Sequence, residues 1–232
     1  MKERTYPRRG LHGQVVHDLG LGIVSGEIAP GEKLPIDEEA AASRTVLREA
    51  VKVLAAKGLV QSRPKTGTRV RERRYWNLMD PDVLLWRLEA DTGDAFLLDV
   101  FEVRERIEPA AAALAATRAS PAAVEELAAA FAEMEDSFGD VDRYVAADLR
   151  FHEVILEACG NELLEQIGST LRAVFRVSFA RTAQAPGSSE RALPLHGDVL
   201  EAIRAGDADA AELAMLDLIR TTAELLDTVT TR

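Results

Sequence analysis

The sequence contains one cysteine, few aromatic residues and no long apolar stretch. A single cysteine among 232 residues excludes a disulfide framework and any zinc site that needs several thiolates. Aromatic residues make up 5% of the chain, and abundant alanine favours helices over a β-sandwich or barrel. No apolar run approaches the ~18 residues of a membrane-spanning helix, and none follows the basic N-terminus as in a signal peptide. We therefore expect a cytoplasmic protein with no membrane partner.

The charges are distributed unevenly along the chain. Residues 1–75 carry 15 Lys and Arg against 9 Asp and Glu, whereas the remaining residues carry 13 against 30, and the formal net charge is −11. A basic first third on an acidic protein indicates a nucleic-acid-binding module joined to an acidic domain. Because charge alone also fits a solvated basic face, the interpretation depends on the residue pattern within that third.

That first third has the pattern of three helices followed by a β-hairpin. The segments are helices over residues 11–25, 37–42 and 43–57 and strands over residues 60–63 and 68–70. Ser43 is a natural N-cap for the third helix, and Gly58 is a natural stop for it. The pattern predicts a winged helix-turn-helix domain over residues 1–72.

The rest of the chain is helical by its pattern, so the predicted fold class is mainly α. Residues 73–92 are predicted to form a linker with a short adaptor helix near 81–90. Residues 93–232 are predicted to form an antiparallel all-α bundle of about six helices.

The third helix has the features of a DNA recognition helix. Arg44, Thr45 and Arg48 lie near its N-terminus, opposite the apolar stripe. The arginine guanidinium matches the N7 and O6 acceptors of guanine, and threonine can contact phosphate or a thymine methyl group. Further residues expected against the phosphate backbone are Arg8 and Arg9 of an N-terminal arm and Lys65 and Gly67 of the wing.

A second group of residues has metal-ligand character. Asp148 and His152 are four residues apart, so a helix places both on one face. His196 lies on a separate predicted helix that could face them across the bundle. One aspartate and two imidazoles suit zinc, nickel, manganese or iron. The alternative is a surface Asp–His pair and an unrelated, partly buried histidine.

Motifs in both parts of the chain resemble known bacterial regulators. The first third contains Gly26-x-x-x-Pro30-Gly31-x-Lys33-Leu34-Pro35, Ser43-Arg44-Thr45-x-x-Arg48-Glu49-Ala50 and Gly67-Thr68-x-Val70, and it resembles the GntR family of transcription regulators. The remainder contains Phe101-x-x-Arg104, Asp148-x-x-Phe151-His152 and Ala205-Gly206-Asp207, and it resembles the FCD-type effector domain of the FadR subfamily. The resemblance implies a homodimer that binds a double-stranded DNA operator through Arg44, Thr45, Arg48 and the wing.

The FCD resemblance also implies a ligand set. It implies that Asp148, His152 and His196 hold a divalent metal ion, with zinc as the first choice. The fourth ligand position of the family falls near Leu218, which cannot coordinate a metal. Arg104 is expected to bind an effector carboxylate; the alternative is an internal salt bridge with Glu102, Glu105 or Glu108. Arg176 and Arg181 are further effector candidates.

The segment between the GntR-like and the FCD-like regions indicates a class of effector. Residues 75–89 are similar to the linker of sugar-acid repressors in this subfamily, especially those that respond to galactonate. The resemblance therefore implies a repressor that responds to a sugar acid such as galactonate.

One feature departs from the family pattern. Ser43 lies eight positions after Pro35, where the offset in family members is about twelve, a difference of about one helical turn. Either the second helix is one turn shorter, with altered packing beneath the recognition helix, or the sequence lacks residues that the natural chain contains.

Two other classes of function are alternatives. A metal-dependent enzyme built on a helical bundle is the main alternative, but the sequence has no Glu-x-x-His repeated on two helices, no nucleophile elbow and no phosphate-binding loop. A general DNA-coating protein is disfavoured by the acidic two-thirds of the chain. The sequence therefore predicts a regulator and not an enzyme.

Overall fold

The computed structural model describes residues 10–35, 44–64, 67–90 and 95–230, with side chains to residue 224. Its elements are α1 (Leu11–Ser25), α2 (Arg44–Ala56), β1 (Val60–Arg63), β2 (Gly67–Val70), a 3-10 turn (Arg73–Tyr75), α3 (Pro81–Ala90), α4 (Ala95–Arg118), α5 (Pro121–Glu135), α6 (Val141–Ala158), α7 (Glu162–Ala183), α8 (Ser188–Ala205) and α9 (Ala208–Thr230). The predicted fold class, mainly helical with an N-terminal winged helix-turn-helix and a C-terminal helical bundle, is confirmed.

Some predictions from the sequence concern residues outside the described part of the chain. These are the helix at 37–42, the Ser43 cap, the shortened Pro35–Ser43 segment, and the DNA contacts of Arg8, Arg9 and Lys65. Of the helices in the described part of the chain, none combines the length and the hydropathy needed to cross a bilayer.

The chain divides into two compact units, Met1–Gly93 and Asp94–Arg232. In the first unit, α1 and α2 pack together and α2 packs on β1. The hairpin is antiparallel, with Val60 opposite Val70. On α2 the buried residues Leu47, Ala50 and Leu54 follow helical spacing, which leaves the opposite face of the helix for solvent or a partner.

The segment after the wing packs into the first unit up to the end of α3. The Asn77 amide donates to the Lys57 carbonyl at 2.9 Å. Gly58 has a φ of 77°, and a Cβ there would collide with the carbonyl oxygen of Tyr75. A Cβ at Gly20 of α1 would overlap the indole ring of Trp86 on α3. Two glycines thus allow this segment to lie directly against the first unit.

A buried lysine joins the end of α2 to the start of α3. Lys57 is 2% exposed, and its Nζ lies 2.8 Å from Asp80 Oδ1 and 2.6 Å from Oδ2 of the fully buried Asp82. Asp80 Oδ1 also accepts the Asp82 amide at 2.9 Å, so the same carboxylate caps α3. The ion pairs of Lys57 with Asp80 and Asp82 therefore hold the adaptor helix α3 against the domain that carries the wing.

The second unit consists of α4 to α9, and its helices begin where local sequence predicts. Ser120 Oγ accepts from the Ala123 amide, Asp140 Oδ1 from the Arg143 amide and Asn161 Oδ1 from the Leu163 amide. Helix α4 packs against α6, α7, α8 and α9, so its buried side chains reach most of the bundle interior.

Replacing Lys57 is expected to destabilise the first unit selectively. Lys57→Met leaves two carboxylates without this cation, and we expect a loss of about 3 kcal/mol in the free energy of unfolding of that unit. Both tryptophans of the chain, Trp76 and Trp86, lie in the first unit, so urea unfolding followed by tryptophan fluorescence reports on it.

The matched control is Lys52→Met on α2. Lys52 is 69% exposed and pairs with Glu49 in solvent, so its replacement should change the free energy of unfolding by less than about 1 kcal/mol. An equal effect of the two substitutions would contradict a stabilising role for the buried ion pairs.

Candidate DNA interface and metal centre

The N-terminal part of α2 presents polar residues to solvent. Arg44, Thr45 and Arg48 are exposed, whereas Leu47 between them is buried. Helical spacing causes this separation, because the buried and exposed residues lie on opposite sides of the helix. The three residues proposed from the sequence to contact DNA therefore share an accessible face.

Helix α2 and the wing border one groove. Its volume is about 350 Å³, and its lining residues are Arg44, Leu47, Arg48, Val51, Lys52, Ser62 and Thr68. Cations of α2 and hydroxyl groups of the wing thus line one surface. Such a surface suits a helix that enters the major groove beside a wing that contacts phosphates.

The start of β2 is held closely against the segment that precedes the recognition helix. The Leu34 amide donates to the Thr68 carbonyl at 2.9 Å. Gly67 has a φ of 78°, and a Cβ there would lie 3.0 Å from Cε of Lys33. Glycine is needed here for both backbone conformation and space, whether or not DNA is bound.

Three buried side chains from α6 and α8 converge inside the second unit. The Nε2 atoms of His152 and His196 lie 3.3 Å and 3.1 Å from the same Oδ1 atom of Asp148. One ligand atom from each residue lies within 4.8 Å of the others. The structure thus brings together the three residues proposed from the sequence as metal ligands.

The other nitrogen of each imidazole already faces an acceptor. Nδ1 of His196 lies 2.9 Å from the Ala192 carbonyl oxygen, and Nδ1 of His152 lies 2.5 Å from Glu108 Oε2. The hydrogen bond to the carbonyl requires a proton on Nδ1 of His196, and the ion-pair contact with Glu108 favours one on Nδ1 of His152. Since both Nε2 atoms face the Asp148 carboxylate, positive charge must lie there, either as further protons on the imidazoles or as a metal ion.

Both buried carboxyl groups of this cluster are ionised. Burial disfavours the charge of Glu108, but Arg104 and His152 outweigh it and lower the pKa of Glu108 to about 2. Burial also opposes the charge of Asp148, and hydrogen bonds from His152 and His196 bring its pKa below the usual value. For His152, burial is outweighed by Glu108 and Asp148, which raise its pKa. The two carboxylates thus balance the positive charges of Arg104 and of the imidazole groups beside them.

The donor set fits a divalent metal ion. One carboxylate oxygen and two imidazole nitrogens, with the second nitrogens held by acceptors, are typical of zinc and related transition-metal sites. Leu218, at the fourth ligand position implied by the resemblance, is buried on α9 and offers no ligand atom. Such a site has three protein ligands and open positions.

Arg104 lies in the same interior and is linked through Glu108 to the cluster of Asp148, His152 and His196. It is 2% exposed, and its Nε donates to Glu108 Oε1 at 2.6 Å. The guanidinium carbon lies 4.4 Å from the centre of the Phe179 ring and 5.2 Å from that of Phe101. The salt bridge with Glu108, one of the alternatives left open by the sequence, is therefore present.

The other two arginines proposed as effector ligands are placed differently. Arg176 is exposed on α7, and Arg181 is half-buried near the end of that helix. Of the buried residues of α7, Phe175 and Phe179 pack against Arg104, and Phe179 also contacts the His152 ring. The structure does not bring Arg176 into the buried cluster.

The contact between Glu108 and His152 was not anticipated from the sequence. The spacing of Arg104 and Glu108 signals a possible pair within α4. The approach of Glu108 to His152 depends on how α4 packs against α6, and the sequence carries no local signal for it.

Two family models match most of the chain. Residues 11–70 match the model of the gntR family of bacterial regulatory proteins, and residues 99–221 match that of the FCD domain. Over 222 residues the chain is 35% identical to the galactonate operon transcriptional repressor of Escherichia coli, covering 94% of this chain and 97% of that protein. It is 34% identical over 239 residues to the putative L-lactate dehydrogenase operon regulatory protein of the same organism, covering 95% and 89%.

Solved structures support the same assignment. Streptococcus agalactiae GntR aligns with a TM-score of 0.52 at 27% identity, covering 92% of this chain and 99% of that chain. The Listeria monocytogenes regulator Lar shares the fold, with a TM-score of 0.62 at 20% identity and coverage of 96% and 99%.

The alternative of a metal-dependent enzyme is excluded, because the matched families comprise DNA-binding regulators. The chain belongs to the GntR family of bacterial transcription regulators, in the FadR subfamily that carries an FCD effector domain.

Proposed function

We propose that this regulator is a metabolite-responsive repressor whose operator affinity is lowered by a small carboxylate, a sugar acid such as galactonate. The observation that carries the proposal is the buried cluster of Asp148, His152 and His196 next to Arg104 in the effector domain. A metal ion and an arginine close together form a natural site for an organic acid that has a carboxylate and a neighbouring hydroxyl group.

The metal would be held by Asp148, His152 and His196, with zinc the first choice and nickel, manganese or iron the alternatives. When bound, the ion supplies Lewis-acid attraction for effector oxygens at the positions left open by the three protein ligands. The buried Leu218 at the fourth ligand position supports this proposal, because a leucine leaves that position on the metal to water or effector.

Arg104 supplies the anion-binding group. Glu108 is the one hydrogen-bond acceptor of Arg104 within the described residues, and the contact uses only Nε. The two terminal nitrogens therefore remain available for a carboxylate, which a guanidinium binds in bidentate geometry. Packing on Phe101, Phe175 and Phe179 holds the guanidinium plane in place.

Sugar-acid specificity is supported by the 35% identity with the galactonate operon repressor over nearly the whole of both chains. We propose a homodimer, because a two-fold protein places two recognition helices on a palindromic operator. The effector then acts by binding more tightly to a placement of the DNA-binding domains that does not fit the operator. As a regulator of transcription, the protein works in the cytoplasm.

An operator mobility-shift assay tests the proposal directly. With zinc-loaded protein, galactonate is expected to release the operator fragment, and removal of zinc by a chelator should weaken that response. Lactate and gluconate serve as comparison acids. If none of a panel of sugar acids and short hydroxy acids altered operator binding, the sensor function would be wrong.

Arg48→Ala should weaken operator binding by about 10- to 100-fold, since one bidentate base contact contributes about 1–3 kcal/mol. The measurement is a binding titration at fixed salt with operator and scrambled DNA. Zinc content should not change, because Arg48 lies in the other unit.

The control for this variant is Arg204→Ala on α8, which removes an exposed arginine outside the DNA-binding unit. Operator affinity should stay within about twofold of the parent protein. An Arg48→Ala protein that bound the operator as tightly as the control would exclude this residue from the interface.

His152→Ala removes one of the three metal ligands and should reduce zinc per chain to a small fraction of the parent value after dialysis. Elemental analysis of purified protein measures it, and operator binding without effector should persist. The control is His12→Ala in the first unit. Zinc content that is equal in the two variants would exclude the site as described.

A further inference from the structure

We propose that Glu108 is a positioning residue that couples the metal ligands to the anion-binding arginine, without itself contacting either bound group. This inference rests on the proposed metal site. It deepens that proposal, because it predicts that residues outside the ligand set, including Arg104, control metal affinity.

The first link runs from Glu108 to His152. The Glu108 side chain is 1% exposed, and its Oε2 lies 2.5 Å from Nδ1 of His152. This contact is an ion pair without the alignment of a hydrogen bond, and a negative oxygen so close favours a proton on Nδ1 over a lone pair. The Nε2 atom, which lies 3.3 Å from Asp148 Oδ1, is then the nitrogen that can bind a metal. Glu108 thus selects the imidazole tautomer and holds the ring.

The second link runs from Glu108 to Arg104. Oε1 accepts from Nε at 2.6 Å, so the two oxygens of one carboxylate serve two different partners. Arg104 makes no hydrogen bond or ion pair with Asp148, His152 or His196 in the described part of the chain. The hydrogen-bonded path from Arg104 to the metal ligands therefore runs through Glu108.

The chemistry of glutamate explains why this residue type is needed. A carboxylate can accept from both neighbours at once, whereas glutamine has one acceptor oxygen and a donor group that would face a donor. Losing Arg104 removes the Nε bond that fixes the carboxylate, which can then turn away from His152. Both changes leave the three metal ligands chemically intact.

The experiment measures zinc affinity alone, by competition with a chromophoric chelator and without any effector. Glu108→Gln should weaken zinc binding by about 10- to 100-fold, as expected for loss of a group that orients a histidine ligand. Arg104→Met should weaken it by roughly tenfold. The double variant should lose little beyond Glu108→Gln, because both substitutions interrupt the same path.

Two exposed residues of α4 provide matched controls. Glu102→Gln and Arg106→Met make the same chemical changes on the solvent side of the same helix, and zinc affinity should stay within about twofold of the parent protein. Equal zinc affinity of Glu108→Gln and the parent would overturn the proposal. A parent protein that bound no zinc would instead refute the metal site itself, and this role with it.

A measurement on the unsubstituted protein avoids dependence on the folding of variants. Nitrogen-15 spectra of the zinc-loaded protein report which ring nitrogen of each histidine carries a proton. The His152 signal is identified through its contact with the Phe179 ring, 5.0 Å away between centroids. A proton on Nδ1 supports the proposal, and a proton on Nε2 overturns it.

Discussion

The effector domain depends on the balance of charge buried within its helical bundle. Arg104, Glu108 and Asp148 are all removed from water, and an isolated charge in such surroundings is strongly unfavourable. The structure resolves this by alternating the charges: arginine to glutamate, glutamate to histidine, histidine to aspartate. Such an arrangement is sensitive to any cation or anion that enters it.

The DNA-binding unit relies on an analogous interaction at its own centre. Lys57, which follows the recognition helix, pairs with Asp80 and Asp82 at the start of α3. Trp86 packs where Gly20 leaves room. The adaptor helix is therefore a structural part of the DNA-binding unit. In each unit, buried ion pairs connect helices that are distant in sequence.

Much of this architecture follows from local sequence. Helix limits agree because caps such as Ser120 and Asn161, and the spacing of apolar residues, act within a few residues of one another. Helical spacing likewise placed Asp148 and His152 on one face and left Arg44 and Arg48 exposed. These features depend on the period of one helix, which can be read without knowing what the helix packs against.

Tertiary packing decided the rest. His196 meets Asp148, and Glu108 meets His152, only because α8 and α4 approach α6 at particular positions. Arg176 and Arg104 are both arginines on bundle helices, yet packing buries one and exposes the other. The placement of residues 73–90 also depends on contacts with α1 and α2, which are distant in sequence. The amino-acid sequence by itself determined which residues share a helix face, whereas the fold decided which faces meet, because contacts between helices depend on the packing of the whole bundle.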